Sequence, residues 1–152
     1  MNLMRQCCLV VGCCGLLGCG ANTALNCTDS SVSAAALETA RDQVRDLVLF
    51  DALGRRNLLE VALTHPKYDE FKTRTDAPYV KDVVADVETY LRAREFSIEA
   101  VQAQPSGSES HSVACAADFV TKSADGTKKF PIKYTARSAD DGKPIQVELT
   151  GL

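Results

Sequence analysis

Apolar positions recur at helical steps in the first part of the chain and alternate in the last part. Over Ser31 to about Phe50, residues Val32, Ala36, Ala40, Val44, Leu47 and Val48 return every three or four positions, which predicts one amphipathic helix with a single apolar stripe. Asp29 or Ser30 can cap it. The pairs Glu38/Arg41 and Asp42/Arg45 sit three apart on the opposite face, where they read as solvated ion pairs. Gly54 marks a stop or kink, and Leu58, Leu59, Ala62 and Leu63 predict a short second helix ending before Pro66. After an irregular stretch from His65 to Pro78, Asp76 and Pro78 read as a cap and first turn. The stripe Val80, Val83, Val84, Val87 and Leu91 then predicts another helix.

From residue 95 the period changes to two. Turn signals at Ser106-Gly107, Asp125-Gly126 and Asp141-Gly142 divide the chain into four strand-like runs, which predicts a four-stranded antiparallel meander. Treating each dipeptide as a two-residue hairpin loop fixes the registers. The first hairpin then sets Phe96 opposite Ala117, Ile98 opposite Cys115 and Ala100 opposite Val113. The second sets Cys115 opposite Ala136, Ala117 opposite Tyr134 and Phe119 opposite Ile132; the third sets Tyr134 opposite Leu149 and Ala136 opposite Val147. All of these fall on one face. Glu99, Ser112, Asp118, Lys133, Thr135, Arg137, Gln146 and Glu148 collect on the other, with Asp118 across from Lys133. A slip of one residue would destroy the sorting. Pro131 fits poorly in a central strand because it lacks a ladder donor, so a bulge or a strand beginning after it is expected.

The fold class that follows is α+β, with N-terminal helices packed on one face of the meander. Its organisation is a helical part at 29–94 and a sheet at 95–151, within one domain at 29–152. The element order resembles cystatin-like and NTF2-like domains, in which a curved antiparallel sheet wraps a long helix; no sequence motif accompanies that resemblance.

The N-terminus carries a different message. Met1 to Arg5 is polar with one positive charge, and Gln6 to Gly18 is apolar, the layout of a secretory signal. The run is shorter than the roughly 20 apolar residues that a membrane-spanning helix needs. Leu16-Leu17-Gly18-Cys19 resembles the lipobox of bacterial lipoproteins, although that family more often has Ala, Ser or Thr where Leu17 stands. The resemblance implies cleavage after residue 18 by signal peptidase II and acylation of Cys19, with 19–28 as a tether. It also implies a periplasm-facing protein of the outer membrane of a Gram-negative bacterium. Two alternatives stay open: Val10-Val11-Gly12-Cys13 as the lipobox, or an ordinary cut near Ala21 or Ala24 that releases a soluble periplasmic protein.

Under the lipoprotein reading the seven cysteines sort themselves. Cys7, Cys8, Cys13 and Cys14 leave with the signal, Cys19 is lipidated, and Cys27 and Cys115 remain to pair in an oxidising compartment. Cys115 falls on the apolar side of the sheet and Cys27 just ahead of the first helix, so their bond would staple helix to sheet. The whole chain has 17 basic and 20 acidic residues for a net charge of −3, and Arg5 is the only charge lost with the signal; nothing in this balance points to nucleic acid.

Catalytic motifs are not found. The two histidines, His65 and His111, are far apart in sequence, and there is no phosphate-binding glycine loop, zinc-type spacing or serine-nucleophile elbow. His65 with Tyr68, Asp69 and Glu70 is the one grouping that could line a cleft; Lys128 and Lys129 flank a turn and read as solvated. On the polar sheet face, Val101, Ala114, Ala116 and Val120 form a small-residue patch, the candidate interaction face. The expected function is binding without catalysis, cofactor or metal. It would be that of a lipid-anchored accessory subunit, inhibitor or immunity-type factor whose partners are the membrane and another envelope protein. The competing expectations are a carrier of a small apolar ligand between sheet and helix, and an enzyme centred on His65.

Overall fold

The structure, a computed structural model, describes residues 25–64, 67–105, 111–138 and 144–152. Its order is α1 (Ser30–Gly54), α2 (Leu59–Thr64), α3 (Tyr68–Phe71), α4 (Tyr79–Arg92), β1 (Glu95–Gln104), β2 (Ser112–Ser123), β3 (Gly126–Arg137) and β4 (Gln146–Thr150). The strands form one antiparallel sheet in the order β1-β2-β3-β4. The fold is therefore α+β, with the helices N-terminal to an open meander. The signal segment, Cys19 and most of the tether, His65 and the turns at Ser106-Gly107 and Asp141-Gly142 lie outside the described residues.

Helix α1 organises the molecule. Its first half buries Val32, Ala36 and Ala40 against the sheet residues Cys115, Ala117, Phe119, Ile132, Tyr134, Ala136 and Leu149. The alanines keep that approach close. Its second half buries Leu49, Ala52 and Leu53 against Ala62, Tyr68, Phe71, Val80, Val83 and Val87 of the later helices. Two cores thus share one helix, where the sequence predicts one stripe. Steps of four residues overshoot the 3.6-residue turn, so a row at 32, 36, 40 and 44 drifts around the helix and a second face takes over.

The helix stops as a Schellman motif. Asn57 adopts a left-handed conformation at φ 59°, its N–H reaches Gly54 O at 3.0 Å, and Leu58 N reaches Leu53 O at 3.0 Å. Asn57, three residues past the predicted stop at Gly54, turns the chain. At α4, Pro78 occupies the N-cap position, and the Asp76 carboxylate, the predicted cap, instead pairs with Arg74 at 2.7 Å.

The registers agree with the sequence reading to different degrees. In the β3–β4 hairpin Tyr134 faces Leu149 and Ala136 faces Val147, as predicted. In the β2–β3 hairpin the pairing is displaced by two: Cys115 faces Tyr134, Ala117 faces Ile132, Phe119 faces Phe130, and Asp118 faces Pro131 in place of Lys133. The turn residues are Ala124 and Asp125, while Gly126, at φ 117°, follows them in the position that a turn with a glycine bulge requires. A slip of two preserves both faces.

The β1–β2 hairpin departs further. Phe96 pairs with Thr121 and Ile98 with Phe119 in place of the predicted partners, because the chain from 105 to 113 connects the innermost pair, Gln104 and Ala114. A bulge between Glu99 and Gln102 carries Ala100 at φ 53° and inserts one extra residue into β1. Beyond it the face alternation inverts.

Pro131 needs neither of the predicted devices. Strand β3 runs through it with regular pairing to β2, and β4 pairs only with 133–137, so Pro131 stands on a stretch with a free edge. Gly151 crosses close to it, where a Cβ would stand 2.5 Å from Pro131 O.

Within the sheet core, Tyr134 is buried and its hydroxyl has no hydrogen-bond partner among the described residues. A buried unsatisfied hydroxyl costs stability. Tyr134→Phe is therefore expected to raise the urea midpoint, by up to about 1 kcal/mol of unfolding free energy. A clear decrease would show that the hydroxyl is satisfied.

Candidate functional site

Two surfaces answer to the sequence expectations, and they lie on opposite sides of the sheet. On the outer side, the four predicted patch residues do not form one surface. Val101 packs against the sheet core because the bulge at Ala100 has turned it inward. Val120 points outward between Ser97 and Lys129 but is fully buried. Glu99 on β1 and Lys129 on β3 form an ion pair at 3.0 Å, which must pass over β2 and so helps to cover it. The hydrogen bond from Lys129 holds the Glu99 carboxyl below its ordinary range. Ala114 and Ala116 remain partly exposed. A shallow hollow of about 470 Å³ lies here, lined by Ala100, Gln102, Ala116, Asp118, Pro131 and Lys133 among others.

The inner side holds an apolar opening between helix and sheet, where the carrier expectation puts a pocket, though the sequence does not name the residues that line it. Leu47 and Phe50 follow Val32 by 15 and 18 residues, about four and five helical turns, so they lie on the sheet-facing side of α1. Yet they are 54% and 47% exposed. The sheet has diverged from the helix at this level and leaves a cleft of about 390 Å³. Val44, Leu47 and Val48 form its helical wall, Phe119 and Phe130 its sheet wall, with Tyr90 of α4 and Leu152 at the sides. Phe130 and Tyr90 are 39% and 38% exposed, so with Leu47 three of the six exposed large apolar side chains among the described residues meet here, while Phe50 and the α2 residues Leu59 and Leu63 lie outside the cleft. At the rim stand Asp51, Arg94, Thr121, Ser123, Asp125 and Lys128. The cleft is mostly apolar, with a few polar groups on one side and a volume within the roughly 300–1,000 Å³ typical of ligand pockets.

Tyr68, Asp69 and Glu70 do line a cleft, of about 270 Å³, with Arg45, Asp46 and Lys67, and their contacts tie α3 to its neighbours. Tyr68 is buried and donates its hydroxyl to Glu88 Oε1 at 2.6 Å; its backbone N–H reaches Asp46 Oδ1 at 2.8 Å, and the Arg45 guanidinium lies over its ring. Asp69 pairs with Lys72, and Lys67 with Asp46 at 2.9 Å. These bonds pin α3 between α1 and α4. His111 is exposed beside β2. Among the described residues, no group of three or more His, Cys, Asp or Glu side chains is placed to hold a metal ion.

Burial first, and the Glu88 acceptor second, hold the Tyr68 phenol well above its ordinary value. The unfolded chain ionises this tyrosine near pH 10 (about) while the folded chain keeps it neutral. The stability that Tyr68 contributes is complete below that pH and is lost as pH rises towards the folded value. Urea midpoints are expected to fall as pH rises above about 10, with a shallower fall in Tyr68→Phe. Equal slopes in the two proteins would remove Tyr68 as the cause.

Cys27 and Cys115 lie where the sequence reading placed them, at the start of α1 and on the inner face of β2, with sulfurs 2.02 Å apart and Cα atoms 5.8 Å apart. No protein-family model, curated protein or solved structure matches this chain.

Proposed function

We propose that this chain is a lipid-anchored protein of the bacterial cell envelope that acts by binding, and that its binding site is the apolar cleft between α1 and the β2–β3 hairpin. The anchor reading rests on the lipobox-like Leu16–Cys19 and on the cysteine sorting. The cleft reading rests on one observation: Leu47, Tyr90 and Phe130 line the same opening with roughly two-fifths to half of their surface bare. Burying such side chains yields about 25 cal/mol per Å² of apolar area, so an apolar occupant gains what the fold leaves unclaimed. Of the two binding expectations, the carrier-type reading has the larger share of the apolar surface behind it.

A second reading, docking of another envelope protein on the outer sheet face, is favoured by the hollow beside Ala116 alone. Ala116→Arg separates the two: it fills the outer hollow and leaves the inner cleft intact.

The anchor is tested by intact mass of the protein extracted from membranes. A triacylated chain beginning at Cys19, gaining two hydrogens on reduction, is the expected result. An unacylated chain beginning beyond Cys19 would make the protein soluble and periplasmic.

A further inference from the structure

We infer that the occupant of the inner cleft is a single-chain amphiphile with an anionic head, its tail between α1 and the sheet and its head at Arg94 and Lys128. This rests on the cleft reading above and adds the sign and position of the head group.

The charge pattern at the rim carries the inference. Asp51 pairs with Arg55 at the C-terminal end of α1. Among the described residues Arg94 and Lys128 belong to no ion pair, while most other basic residues of the described chain have an acidic partner within 4.0 Å. Arg94 is held in place by its own helix end: Nη1 donates to Tyr90 O at 2.9 Å, and the guanidinium lies 3.5 Å from the centre of the Tyr90 ring. It therefore sits over one of the apolar walls, with donors left for a ligand.

Lys128 pairs in register with Thr121, two positions beyond the Phe119/Phe130 pair on the same face of the sheet. Alternation along β2 and β3 thus runs from phenylalanines to a lysine and a hydroxyl as the cleft opens to solvent. Asp125, also unpaired among the described residues, is the one opposing charge, which leaves the rim with an excess of one positive charge. An apolar trough that ends in two free cations matches an apolar tail that ends in an anion. The volume of about 390 Å³ suits one chain and is small for two.

The test uses the anchored protein in phosphatidylcholine nanodiscs with diazirine-tagged hexadecanoate, and with the matched hexadecanol and hexadecyltrimethylammonium at the same mole fraction. Adducts are mapped by peptide mass spectrometry. The expected result is that peptides carrying Leu47, Tyr90 and Phe130 are labelled about ten-fold more by the carboxylate than by the alcohol. That excess should disappear in Lys128→Gln combined with Arg94→Gln. Lys128→Gln alone, at an exposed position, should lower it without disturbing the fold.

Equal labelling of the cleft by all three probes would overturn the head-group inference and leave the cleft reading standing, and preference for the ammonium would do the same. If none of the probes labels a cleft peptide, the inference and the cleft reading both fall.

Discussion

Removing the Cys27–Cys115 bond, by reduction or by Cys115→Ala, is expected to cost more stability than any other change considered. The residues are 88 apart, so the bond closes most of the domain into one loop. The chain-entropy relation gives about 4 to 5 kcal/mol for a loop of that size. Such a loss is a large share of the roughly 5–15 kcal/mol that holds a typical domain together. It should fall unevenly. Both cysteines belong to the core shared by the first half of α1 and the sheet, while Leu49, Leu53, Phe71 and Val83 belong to the other core. Denaturant midpoints of the oxidised and reduced protein measure the total, and amide exchange locates it. Protection should fall first at the start of α1 and in β2. A change below about 1 kcal/mol would mean that the bond does not constrain the unfolded chain.

Phe119→Ala is the second large effect. Phe119 is fully buried and stacks on Phe96 with ring centres 5.7 Å apart, and it is also part of the sheet wall of the cleft. Truncation of a buried phenylalanine costs about 3–5 kcal/mol, the larger values where the site cannot collapse. Its cross-strand partner Phe130 offers the contrast. The two face the same way and are paired in register, but Phe130 is more than one-third exposed. Phe130→Ala is expected to cost about 1 kcal/mol or less in stability, while removing one wall of the binding site. Thermal or urea unfolding of both variants is the check. Equal losses would place the edge of the core at Phe130 and close the cleft as a distinct feature.

Much of the scaffold is legible in the sequence because alternation and helical period both report which face is buried. The meander, the sorting of the faces and the β3–β4 register follow from period two and one turn dipeptide. The approach of Cys27 to Cys115 follows from that face together with the start of α1. Where the reading strays, a local backbone event intervenes that composition does not announce. Gly126 serves the position after the turn, which moves the β2–β3 register by two. The bulge at Ala100 is carried by an alanine with positive φ, a residue that gives no signal for it, and it alone turns Val101 inward. Asn57, not Gly54, ends α1.

The residues that line the cleft are hidden for another reason. Leu47 reads as core because it continues the stripe of Val32 and Ala36, and only the divergence of the sheet from the helix leaves it bare. Divergence of two packed elements is a property of the assembled sheet, set by its twist and by the short β4, and no local pattern encodes it. One trace was available: Leu47 and Phe130 together make more apolar surface on these faces than a single buried stripe needs.

The most direct test of the central claim is to map where an apolar photo-crosslinker without a charged head group attaches to the anchored protein, comparing wild type, Leu47→Asp and Ala116→Arg. The account predicts adducts on the α1 segment around Leu47 and on Phe130, lost in Leu47→Asp and unchanged in Ala116→Arg. Adducts on the outer face around Ala114 and Ala116, abolished by Ala116→Arg and indifferent to Leu47→Asp, would contradict it.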